Sequence, residues 1–286
     1  MFLTVAAIIP AIVLCVYIFK KDRVDKEPIS LLLTLFALGA ICCFPAAKIE
    51  SFIIKIIASV FSPFGQNIEG TYVLSDSMYS LYNAVKYFVG VGLVEETLKF
   101  VVMFFATRKN KNFNSLFDGI VYAVFTSLGF AALENIFYVL DYGFETAVLR
   151  GILSVPAHAF FGVIMGYYYS MYHMYGLARI REQAMRRNQI IPASGTEISE
   201  KRFLVLSLLM PTLAHGLYDF SCTQGSGLAN VLFYAFIIFL YFYCFAKIKR
   251  TSKYDVPDHF YVNSILRTKY PQYIDFIGVQ NQDEQL

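Results

Sequence analysis

Long apolar runs alternate with short polar connections along this chain. Seven runs stand out, at residues 2–19, 29–47, 84–106, 116–140, 149–172, 203–223 and 228–247, and an amphipathic stretch at 48–62 follows the second. Each run is near or above the ~20 residues that cross a bilayer as a helix. The pattern predicts an all-α, polytopic membrane helix bundle of about seven transmembrane helices. No basic residue precedes the first run, and Lys20, Lys21 and Arg23 follow it. It therefore reads as a retained span and not as a cleaved signal peptide.

Charge sets the orientation. Of the 24 Lys and Arg residues, 19 fall in the connections 20–28, 107–115 and 173–202 and in the stretch from 247 onward. The positive-inside rule assigns those segments to the cytoplasm, which leaves the N-terminus outside and the C-terminus inside. Five basic residues stand apart: Lys48 and Lys55 in the second connection, Lys86 and Lys99 in the third run, and Arg150 just inside the fifth. The connection DYGFET, 141–146, is acidic, as an outer loop allows. Residues 1–250 read as the membrane-embedded core and 251–286 as a short cytoplasmic tail.

Composition agrees with the pattern. The chain is 57% hydrophobic and 16% charged, against roughly 25% charged in a soluble domain. A net charge of +3 gives no footprint for a nucleic-acid partner. The five cysteines show no CxxC or metal-finger spacing, and all of them lie inside apolar runs, as packing residues do. No internal repeat supports an inverted-repeat transporter.

The third run poses the chemical question. Its centre, GLVEETLKFVVMFF at 92–105, holds Glu95, Glu96 and Lys99, although one charge at mid-bilayer costs about 2.5–3.5 kcal/mol on the insertion scale. Rise per residue places His158 of the fifth run and His215 of the sixth at the same depth, each about 3 Å from the midplane. A water-filled pocket shared by these groups would make them tolerable. Lys99 is one helical turn from both glutamates and cannot fully pair two carboxylates. The remaining one is left to accept from another helix, hold a water or carry a proton, which suits a general base. His215 and Asp219 share a helix face. His158, Gly162 and Gly166 form a stripe whose small residues let another helix approach, and Gly92 offers the same. Asp118 and Glu134 in the fourth run are separated by about 160° around the helix and about 24 Å along it, so they cannot serve one site. Asp118 fits the cytoplasmic rim near Arg108, Lys109 and Lys111. Glu134, beside Asn135, can enter the pocket from the outer side.

EExxK at 95–99, FDGIVYA…GFAALEN at 117–135, HAFFG at 158–162 and HGLYDF at 215–220 resemble the PrsW intramembrane proteases. That family is related to the type II CAAX prenyl endopeptidases and the bacterial immunity-type proteases. The resemblance implies a multi-pass enzyme of the bacterial plasma membrane that cleaves a membrane-anchored protein, with the first cut in an anti-sigma factor as the best-known role. It makes Glu95 the glutamate that activates water, assisted by Glu96, His158, His215 and Asp219. Lys99, Glu134, Asn135 and Asp118 are then supporting residues. The relatives carry EExxxR and H-x-x-x-N, whereas Lys99 stands one position earlier here and Asp219 replaces the asparagine. An ionised aspartate donates no hydrogen bond, so Asp219 either carries a proton or orients His215. No cofactor is expected on this reading. Zinc stays open, since two histidines and a glutamate form a known catalytic zinc set. A proton-coupled carrier or scaffold also stays open, since buried Glu and His build proton relays.

Overall fold

Lipid offers no hydrogen bonds, so an apolar run must satisfy its own backbone, and a helix does this within one segment. The computed structural model describes residues 2–68, 71–223 and 227–273. The helices are α1 (Phe2–Lys21), α2 (Ile29–Ile41), α3 (Cys43–Phe61), α4 (Asp76–Val85), α5 (Leu93–Thr107), α6 (Leu116–Tyr142), α7 (Phe144–Ile152), α8 (Ser154–Arg187), α9 (Lys201–Cys222), α10 (Gly227–Lys253) and α11 (Asp258–Lys269). A π-helical turn, Lys86–Gly92, joins α4 to α5, and a short antiparallel hairpin pairs Gln66–Ile68 with Thr71–Val73.

A helix that is hydrophobic on every face belongs in a core. In α6 every residue from Leu116 to Ala132 is buried. α1, α2, α5 and α8 pack around it, and α9 and α10 pack on α8. Gly166 of α8 lies so close to α6 that a Cβ there would stand 2.2 Å from the Gly119 carbonyl oxygen. The small-residue stripe therefore sets the α6–α8 distance. Apolar side chains such as Ile12, Val16, Phe52, Ile56, Phe239 and Phe242 point outward from α1, α3 and α10, as lipid-facing surfaces do. The described cysteines are all free, and four of them are buried.

Among the described residues, six segments are long and apolar enough to cross a membrane: Leu3–Lys21, Ile29–Phe64, Leu116–Tyr142, Phe144–Arg187, Lys201–Cys222 and Asn230–Lys253. The run 84–106 is helical but carries Lys86, Glu95, Glu96 and Lys99, and so falls outside that set. Other boundaries also move. The second run divides between α2 and α3 at Cys42, and the fifth begins in α7 and breaks at Leu153. α8 spans 34 residues, about 51 Å at 1.5 Å per residue, which exceeds the apolar layer. Its basic end projects, and Ala178 and Met185 pack there with Val262, Leu266 and Tyr270. Glu182 ties this region together by accepting from Arg186 Nη2 at 2.9 Å, Lys269 Nζ at 2.8 Å and the Ile198 amide at 2.6 Å. The stretch read as a tail, 251–286, is thus a docked helix over Asp258–Lys269, and the part from 274 onward lies outside the described residues.

Candidate active site

The diglutamate owes its aim to the turn before it. In the π segment the Leu93 amide bonds to the Phe88 carbonyl, five residues back. Such π-bulges recur at functional sites. Gly92 at its end meets α9 closely, since a Cβ there would lie 3.1 Å from the Gly216 nitrogen and 3.2 Å from the Thr212 carbonyl oxygen. A Cβ on Gly216 would in turn lie 2.6 Å from the Phe88 ring. Two glycines thus bring α5 and α9 together one residue from His215.

Glu95, Glu96, His158 and His215 are all buried, and one ligating atom from each lies within 4.8 Å of the others. The four side chains expected to share one depth therefore converge. Lys99 stands among them. Its ammonium donates to Glu95 Oε2 at 2.9 Å and Glu96 Oε1 at 2.8 Å, and it lies 3.1 Å from His158 Nδ1. An ammonium has three donors and no acceptor, so His158 Nδ1 is the acceptor and its proton is on Nε2. The expectation that one lysine cannot serve two carboxylates is corrected: Lys99 serves both, and a histidine as well. The ammonium also rests 4.1 Å above the centre of the Phe130 ring.

The two glutamates differ. Glu96 is fully buried and its Oε1 is shared by Lys99 and His215 Nδ1, the latter at 2.9 Å. Glu95 lines a cavity of about 280 Å³ together with Glu50, Lys86, Arg150, Tyr218 and Asp219. His215 stacks on Phe161 with ring centres 4.8 Å apart. Its Nε2 faces Asp219 Oδ2 at 3.4 Å and Glu95 Oε2 at 3.9 Å. Both of its nitrogens thus face carboxylates.

Glu134 does enter the pocket, and His158 Nε2 donates to its Oε2 at 3.0 Å. Asn135 does not touch the four-residue cluster. Its side chain donates to the Ala7 carbonyl of α1 at 2.9 Å and accepts from Arg150 Nε at 3.2 Å. Asp118 is neither in the site nor on an exposed rim. It is buried and closes a capping box at the start of α6, accepting from the Ser115 amide at 2.7 Å, the Ser115 hydroxyl at 2.6 Å and the Asn114 amide at 2.9 Å. Four orphan N–H groups at a helix start require such an acceptor, which explains an aspartate there without chemistry. Sequence reasoning passed over Arg150, Lys86 and Glu50 as lining residues. A signal existed for the first two, because both break the positive-inside pattern.

Comparison with known proteins decides the family. Residues 27–246 match the model of the PrsW family intramembrane metalloproteases. Proteins named protease PrsW align over most of their length. The one from Bacillus subtilis (strain 168) is 33% identical over 86% of this chain and 93% of its own. The one from Oceanobacillus iheyensis is 32% identical over 87% of this chain and 95% of its own, and the one from Clostridioides difficile (strain 630) is 28% identical over 82% and 85%. The chain belongs to the PrsW family. It is therefore an intramembrane protease of the bacterial membrane, and the carrier and scaffold readings fall. No solved structure matches it.

The family's description names a metal, and the donor set is of the kind that binds one: histidine nitrogens with a glutamate oxygen form a zinc ligand set. In this PrsW-family chain the arrangement does not fit it. Glu95, Glu96 and His158 all direct their ligating atoms at the Lys99 ammonium, so a cation already fills the space between them. A metal held by this quartet would have to displace that lysine from a position where it is wholly buried and has a partner for every donor.

Proposed function

We propose that this chain cleaves a peptide bond of a single-pass membrane protein with a water activated by Glu95, and that an anti-sigma factor is the substrate the family resemblance implies. The observation that carries the reading is the division of labour in the diglutamate. Glu95 faces the cavity, while Glu96 is held behind it by Lys99 and His215. The cavity is lined by Lys86, Tyr138, Arg150 and Asp219, which belong to the helix ends away from the basic connections. A substrate segment on the outer side reaches Glu95 from there.

The steps balance without a further reactant. Glu95 takes a proton from water as the water oxygen bonds to the substrate carbonyl carbon. The resulting oxyanion needs donors aimed at it, and an N–H on His215 Nε2, turned toward the cavity, supplies one. Collapse of the intermediate breaks the C–N bond, and the proton on Glu95 passes to the leaving amine. One water is consumed, and one carboxyl and one amine are formed. Lys99 supplies fixed positive charge beside both glutamates. Asp219, at 3.4 Å from His215 Nε2, orients that ring.

Zinc catalysis is the second reading, favoured by the family's description, and it requires Lys99 to leave the space between the four donors. Purified protein in detergent with a single-pass substrate separates the two. On the glutamate reading, activity survives prolonged chelation, elemental analysis finds no stoichiometric metal, and Glu95→Gln abolishes cleavage while the protein accumulates normally. One zinc per chain, with activity tracking its occupancy, would overturn the glutamate assignment and leave the protease intact.

A further inference from the structure

Arg150 is the one basic residue of the fifth run's outer part, and nothing in the motifs assigns it a role. It sits on α7, a nine-residue helix held in place independently of the site. Ala147 of α7 packs with Ala7 and Val139. A Cβ on the neighbouring Gly151 would lie 3.0 Å from the Pro10 ring. From this anchored position the guanidinium makes three contacts. Nη2 forms an ion pair with Glu134 Oε2 at 2.8 Å, Nε donates to Asn135 Oδ1 at 3.2 Å, and the group lies 3.8 Å from the centre of the Tyr138 ring. Asn135 is itself fixed to the α1 backbone through Ala7.

The oxygen that Arg150 touches is the same one that His158 Nε2 touches. The ion pair with the guanidinium is made by a carboxylate, which carries no proton to donate, so the ring nitrogen facing it carries the proton, in agreement with the acceptor role that Lys99 gives His158 Nδ1. His158 Nδ1 is thereby left with its lone pair toward Lys99, at 3.1 Å. A Glu134 carboxylate no longer aimed by Arg150 would leave the ring free to turn, and Lys99 would lose one of the three contacts that hold it between Glu95 and Glu96.

We propose that Arg150 is a positioning residue of this site, which acts through Glu134 to hold the His158 ring in place and so fixes Lys99 against the diglutamate. The proposal rests on the hydrolase reading only for its kinetic consequence. Removing a partner at this remove from the reacting atoms typically costs about 10–100-fold in activity. The loss is expected in kcat, with KM unchanged, because the contact aligns the base and does not hold substrate.

The test uses the full chain in detergent with a single-pass substrate. Arg150→Gln and Glu134→Gln are each expected to lower kcat by about 10–100-fold. The double variant is expected to be no worse than either single one, since both break one chain of contacts. Arg150→Lys, which keeps a donor, should recover part of the loss. Nitrogen-15 NMR of labelled histidine reads the ring directly: native His158 should show an Nε2–H protected from solvent exchange by its bond to Glu134, and Arg150→Gln should speed that exchange. Additive losses, or a His158 Nε2–H equally protected in Arg150→Gln, would overturn the proposal. If the native chain cleaves no substrate, the hydrolase reading fails, and the exchange measurement still decides the role of Arg150.

Discussion

Asp219 shows how one side chain can separate two roles. It lies 3.4 Å from His215 Nε2 and is about a quarter exposed, with a side-chain accessibility of 24%. An ionised carboxylate there can accept from His215 but cannot donate to an oxyanion. An asparagine can donate. Asp219→Asn is therefore expected to keep partial cleavage, with a carbonyl still available to His215, whereas Asp219→Ala leaves the ring unsupported and should lose most of it. Initial rates on one substrate at equal protein levels decide this. Equal rates for the two variants would remove Asp219 from the site. Lys99 shows a different residue-scale economy. Its three donors meet three acceptors on two helices. A fully satisfied ammonium is far cheaper to bury than an unpaired one.

Among the elements, the crossing of the π segment with α9 controls the site. Gly216 faces Phe88 so closely that a new Cβ would stand 2.6 Å from its ring and 2.8 Å from its Cα. The ring can swing away, but the backbone cannot, so α9 must move off the π segment. Overpacking of this kind costs about 1–3 kcal/mol. It also displaces His215 from Glu96, one residue from the strain. Gly216→Ala is expected to lower cleavage by well over tenfold, a larger fraction than it removes from the folded population, which thermal unfolding in detergent measures. Normal cleavage by this variant would show that the crossing tolerates movement and that the π turn does not set the alignment.

Across the whole molecule, the end of the bundle bearing the basic connections is closed by acids. Asp255 Oδ1 accepts from the Leu116 and Phe117 amides at 3.2 Å each, so the segment after α10 caps α6. Burial pushes the Asp255 carboxyl up to about 6 and the Glu27 carboxyl up to about 8 from its ordinary 4.5, the latter with help from the charges of Asp118 and Asp22. A carboxyl with a raised folded-state value holds its proton more tightly when folded. The stability this contributes is complete below the ordinary value and is lost as pH rises through the folded one. Thermal stability in detergent should therefore decline from pH 5 to pH 8, and Glu27→Gln, which cannot ionise, should flatten that decline. An unchanged pH profile in Glu27→Gln would show that Glu27 carries no such linkage. The same end is expected in the cytoplasm. Cysteine labels in 107–115 and 179–190 should react only from the inside and labels in 141–147 only from the outside. An outwardly reactive 179–190 segment would reverse the orientation.

The sequence by itself determined the membrane class, the helical architecture and which buried polar residues gather at one depth. Each rests on a property that no partner supplies: apolar length, backbone self-satisfaction and the cost of a charge in lipid. That cost makes Glu95, Glu96, Lys99, His158 and His215 conspicuous along the chain, and the same logic extends to Lys86 and Arg150, which break the basic-side pattern. Tertiary structure decided how these charges divide among themselves. Whether Lys99 meets one acceptor or three, which glutamate faces water, and which nitrogen of His158 holds its proton all depend on contacts between residues on different helices. Helical spacing fixes only neighbours on one helix. For the same reason Asp118, as acidic as Glu134 and on the same helix, turned out to be a cap: its partners are the amides at the start of α6, while those of Glu134 lie on α7 and α8.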